Sequence, residues 1–82
     1  MVRFICFKES AKGTNRLLNL NHILEIDIDP ITTTLIFKLS DSTIASIIFS
    51  DLVQLNIAYT RILNFINKRN KALLNIYNNI PS

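Results

Sequence analysis

The stretch LLNLNHILEIDIDP, residues 17–30, decides what kind of sheet this chain can build. Glu25, Asp27 and Asp29 alternate with Leu24, Ile26 and Ile28, the period-two signature of a strand with one wet face. Carried back unbroken, the alternation predicts one long strand from about Arg16 to Asp29. Leu18, Leu20, His22, Leu24, Ile26 and Ile28 would then share a face, with Asn19, Asn21, Ile23 and the three acids opposite. The alternative is a bend at NLNH between two short strands, because Asn is disfavoured in strands.

The three carboxylates do not read as a catalytic or metal site. Alternate strand residues lie about 7 Å apart, so they cannot converge on one calcium ion without a loop. His22 is the sole histidine and Cys6 the sole cysteine, too few ligands for a zinc site. General acid–base work needs carboxylates set in a cleft, not alternating with Leu and Ile along a strand. The better reading is a solvated strand face paired across a hairpin with Lys38 or Thr34. No Ser/His/Asp or Cys/His spacing suggests a nucleophile, and a single glycine cannot build a phosphate loop. The expectation is a non-enzymatic protein with no catalytic residue, metal or cofactor.

Outward from this stretch, more strands follow. Val2 to Lys8 is one, with Phe4 and Cys6 on one side and Ile5 and Phe7 on the other, so both faces are apolar. ESAKGTN turns the chain, with Gly13 free to take positive φ. DPIT makes a turn with Pro30 at its second position. Thr32 to Ser40 places Leu35, Phe37 and Leu39 on one face, with Ile36 and Lys38 on the other. After SDS, Thr43 to Phe49 places Ala45, Ile47 and Phe49 opposite Ile44, Ser46 and Ile48. The aromatics Phe4, Phe7, Phe37 and Phe49 sit among Ile and Leu, which favours core packing over base stacking.

The period then changes. Ser50 or Asp51 caps a helix, and Asp51 with Gln54 has the spacing of a capping box. Leu52, Leu55, Tyr59, Ile62, Ile66, Arg69, Leu73, Ile76 and Ile80 recur at spacings of three and four, a heptad pattern broken by Arg69 and stopped by Pro81. The pattern predicts an α+β protein: a single ββββα domain over 1–82, with a four-stranded antiparallel meander sheet in 1–49 and one long C-terminal helix in 50–80. Such a helix would run about 45 Å, against about 23 Å for a seven-residue strand, and would overhang its sheet. Leu73, Ile76 and Ile80, with Ile66 and Tyr59, would need cover from another chain. The alternative is a break at NKRNK, residues 67–71, where Asn67 and Asn70 weaken the helix and a second short helix folds back.

Composition supports assembly. Eighty-two residues make one domain, yet 49% of them are hydrophobic and the mean hydropathy is +0.29. A chain this short struggles to bury that much apolar surface, which points to a homodimer, a higher oligomer or another protein partner. The net charge of +3 permits nucleic acid or an acidic protein surface as a partner. Arg61, Lys68, Arg69 and Lys71 form the strongest basic cluster and would carry phosphate contacts. The lone cysteine fits a reducing, cytoplasmic setting. MVRFICFKE is apolar for too few residues to be a signal peptide, and no run of 18 or more apolar residues predicts a membrane span.

In LLNLNHILEIDIDPITTTLIFKLSDSTIASIIFSDL the order of elements resembles the small bacterial FlbD-like family associated with flagella, over roughly Thr14 to Ile66. That family usually carries glycine in the turn where this chain has DS, and its helix is shorter. No catalytic residue carries over from it. Four strands followed by a helix is also similar, in element order, to the Whirly group, whose β4-α units dimerise through helices and bind single-stranded nucleic acid. Two functions follow as expectations. One is an interaction or assembly protein that oligomerises through its helix and apolar sheet face. The other is a single-stranded nucleic-acid-binding protein using the basic helix segment.

Overall fold

The computed structural model describes residues 2–9, 13–68 and 71–77. β1 (Phe4–Lys8) turns through Gly13, at φ +66°, into β2 (Asn15–Asn19), and the two pair antiparallel with Ile5 opposite Leu18. NLNH is a bend. The Asn19 side chain accepts from the N–H of Asn21 at 2.9 Å, the local bond by which Asn competes with strand pairing, and Leu20–His22 form a 3-10 turn. The chain then resumes as β3 (Ile23–Asp29), followed by β4 (Thr34–Leu39) and β5 (Ile44–Ile48), all antiparallel neighbours. The 3-10 turn bonds to both sides: Leu20 N–H donates to Arg3 C=O, and Ser40 N–H donates to His22 C=O.

Helix α1 (Leu52–Asn67) starts where the sequence placed its cap, with Asp51 Oδ1 accepting from Gln54 N–H at 2.8 Å. It ends at Asn67. Lys68 is extended, and β6 (Leu73–Ile76) follows, pairing parallel with β1. The strands therefore form two three-stranded sheets, β2-β1-β6 and β3-β4-β5. This corrects the expected four-stranded meander and the helix over 50–80. The bend at NLNH divides the first sheet from the second, and the break after Asn67 converts the tail of the heptad into a strand. The sequence alternative of a break at NKRNK is right in place, but the chain continues as a strand and not as a second short helix.

A second correction concerns β3. A bulge between Ile23 and Glu25 shifts its register against β4. Ile23 joins Ile26 and Ile28 against the core, while Leu24 is 72% exposed. Elsewhere the alternation holds. Ile5 and Phe7 on β1 face Phe37 and its row across the core, with the Phe7 and Phe37 rings stacked at 5.4 Å. Leu55, Ala58, Ile62 and Phe65 bring one face of α1 into the same cluster, and Ile76 adds β6. Each large side chain so buried contributes about 1.5–3 kcal/mol.

Arg3 explains where the helix ends. The chain's one glycine is spent at residue 13, so α1 has no left-handed glycine to fold back onto its last carbonyls. The Arg3 side chain takes them instead. Its Nε donates to Lys71 C=O at 3.0 Å, Nη2 donates to Phe65 C=O and, at 2.9 Å, to Lys68 C=O, and Nη1 reaches Ile66 C=O at 3.5 Å. The guanidinium carbon lies 4.0 Å from the Phe65 ring centroid, a cation–π contact. Phe4 N–H then donates to Ala72 C=O and seats β6 beside β1. Arg3 has the same parity as Ile5 and Phe7, so the strand that feeds the core also delivers the cap.

Replacing Arg3 with Met should leave these carbonyls without their donor and cost about 2–4 kcal/mol, while Arg3→Lys, with one donor head in place of a planar fork, should recover only part of it. Urea titration followed by circular dichroism checks the order wild type, Lys, Met; equal stability of all three would contradict the cap.

Candidate functional site

Four of the helix's side chains go into the core, which leaves α1 with two flanks, and the two differ in chemistry. Toward β6 the flank carries Arg61, Asn64 and Lys68, at spacings of three and four on one side of the helix. Lys71 joins them from the segment that Arg3 draws back against the helix end. Together with Phe65 and Leu74 they line a groove of about 320 Å³. Phe65 is buried and Leu74 half-buried, so the floor is apolar and the rim cationic. Among the described residues none of these cations is within salt-bridge distance of a carboxylate.

Toward β3 the flank is apolar. Ile66 meets Leu20, Ile23, Leu24, Glu25 and Ile26 around a groove of about 340 Å³. Glu25 is its only charged member, and the bulge that exposes Leu24 also shapes this wall. Along the helix, Leu52, Tyr59 and Leu63 continue the same side.

The acidic face of β3 is the solvated hairpin face expected from the sequence. Lys38 Nζ lies 2.9 Å from Glu25 and 3.2 Å from Asp27, and Asp29 pairs in register with Thr34. Among the described residues no group of three or more His, Cys, Asp or Glu side chains is placed to hold a metal ion. His22 is exposed on the 3-10 turn and lines a wide groove with Ser40 and Asp41. Asp41 Oδ1 accepts from the Thr43 N–H and hydroxyl.

The candidate residues from the sequence divide between these places. Arg61, Lys68 and Lys71 come together in the basic groove. Ile66 lines the apolar groove and Tyr59 is half-buried beside the core. Leu73 is exposed on β6, whereas Ile76 is 3% exposed in the core of its own chain and leaves nothing for a partner. Arg69 and Ile80 lie outside the described residues. Among the described residues no helix is long and apolar enough to cross a membrane.

Sequence reasoning missed two side chains. One is Arg3. The other is Glu9, 4% exposed, whose carboxylate pairs with Arg16 at 2.7 Å. Both continue the inward parity of Ile5 and Phe7, and that parity was the available signal. No family model matches this chain, and neither a curated protein nor a solved structure matches it.

The Lys38 cluster has a pH signature. The hydrogen bond to Glu25, then that to Asp27, holds the Lys38 ammonium above its ordinary value of 10.5. A lysine raised on folding stabilises fully below its unfolded pKa and loses that contribution as pH rises through the folded one. Stability measured by urea titration from about pH 9 to about pH 11.5 should therefore fall further in wild type than in Lys38→Met. The group is exposed, so the difference should be small; identical slopes would show that the pair contributes nothing.

Proposed function

We propose that this chain is a non-enzymatic interaction protein that assembles with copies of itself through the apolar flank of α1 beside β3. The observation that carries this reading is the run Leu52, Tyr59, Leu63 and Ile66. Leu52, Leu63 and Ile66 are 45%, 40% and 36% exposed, and Tyr59 is half-buried. Scattered apolar side chains are ordinary on a protein surface, but a contiguous stripe is not. These four recur at spacings of seven, four and three, the geometry of a helix–helix seam. The adjoining groove of Leu20, Ile23, Leu24 and Ile26 widens the stripe into a recess.

A second copy fits as the occupant on charge grounds. None of the four stripe residues is charged, and the helix's cations lie on the opposite flank. Glu25, the one charge in the adjoining recess, is paired with Lys38 of its own chain, so two copies related by a two-fold axis can join the same patch without unpaired like charges meeting, although the chain as a whole is cationic. The interface lies on the first half of the heptad pattern, from Leu52 to Ile66, since its far end has become β6.

Leu63→Lys with Ile66→Lys places facing cations in such a seam. The double variant should keep its circular dichroism, since both positions are exposed in a single chain, and should sediment as a monomer with its self-association weakened at least about a hundredfold, or about 3 kcal/mol. Val53→Lys with Ile57→Lys, exposed on the other side of the helix, should leave the oligomeric mass unchanged. A wild type that stays monomeric at high micromolar concentration in analytical ultracentrifugation defeats self-assembly.

A further inference from the structure

We infer that the groove between α1 and β6 binds the phosphate backbone of single-stranded nucleic acid. Among the described residues its cations make no ion pair. Lysine and arginine near a helix C-terminus ordinarily offset the partial negative charge of about half a unit that accumulates there. Here Arg3, a full positive charge donating to the carbonyls of Phe65, Ile66, Lys68 and Lys71, already does so. Nor, among the described residues, does a carboxylate lie within salt-bridge distance of them. All six acidic residues of the chain lie at or before Asp51, while residues 52–82 carry four of the nine cations. Arg61, Lys68 and Lys71 thus form a patch of one sign whose charge is left for a ligand.

The shape selects a chain of phosphates. Arg61 and Lys68 are two helical turns apart, about 10 Å along the axis. Lys68 and Lys71 lie together at the end of the helix, where both carbonyls accept from Arg3, and Arg61 lies apart from them, a spacing suited to more than one phosphate of a polymer. The apolar floor of Phe65 and Leu74 lowers the local dielectric and concentrates the field of the rim. Asn64, between Arg61 and Lys68, adds an amide donor and acceptor. A duplex presents rigid, convex ridges that would touch only the rim of so small a recess. A single strand rotates freely about its backbone bonds and can follow a basic groove. This site is on the opposite flank from the proposed self-association stripe and stands on separate observations.

Fluorescence anisotropy with a labelled oligothymidylate tests the assignment across a salt series. Each phosphate contact on a single strand adds about 0.7 to the slope of log affinity against log salt. Arg61→Gln with Lys68→Gln should weaken binding at least about tenfold at low salt and flatten the slope by about 1.4. Lys8→Gln with Lys38→Gln removes the same charge elsewhere and should change the slope far less. Several results would overturn the proposal: no binding by wild type at low salt, equal losses in the two double variants, or equal affinity for a duplex of the same length. Displacement of the oligonucleotide by polyglutamate at matched charge, or by vesicles containing phosphatidylserine, would overturn it also, since the groove would then read negative charge alone.

Discussion

The grip of Arg3 on the end of α1 is the interaction on which the rest of this structure depends. A helix that ends without glycine leaves carbonyls facing a partly buried space, and such groups must find donors. One guanidinium, held over the Phe65 ring, supplies them from a strand more than sixty residues earlier in the chain. The same contact draws residue 71 toward β1 and brings the next residues into pairing distance, so that β6 forms. A long helix and a helix followed by a strand are both compatible with the local sequence from 52 to 76. The buried cation at residue 3 selects the second.

The bend at NLNH is the other decisive local event. It turns what would be one long strand into two, each pairing in a different sheet, and it bonds to both through Leu20 and His22. Two small sheets can then face each other across the Phe7–Phe37 contact, with the helix closing the core. This arrangement suits a short chain. It buries side chains from all three pieces against one another, where a flat meander would leave one face bare.

The helix so placed separates two chemistries. Its inner face is core, its β3 side is apolar with Glu25 as the one charge in the adjoining groove, and its β6 side carries Arg61 and Lys68. Two carboxylates of the acidic strand, Glu25 and Asp27, by contrast, share Lys38 across their own hairpin, and Asp29 pairs in register with Thr34.

Local features were legible in the sequence. The alternation of Leu35, Phe37 and Leu39, the inward row of Ala45, Ile47 and Phe49, the Asp51 cap and the Glu25–Lys38 pairing all follow from period and propensity, which depend on near neighbours alone. The clustering of Arg61, Lys68 and Lys71 was legible in part, since two of them share a helical flank. The tertiary structure decided the rest. Leu24 reads as a core residue until a bulge set by pairing with β4 turns it outward. Leu73 and Ile76 satisfy a heptad as well as a strand, and only the parallel partner β1 distinguishes the two. Arg3 reads as a stray charge in an apolar run, because its partners lie far along the chain and local periodicity carries no information about them.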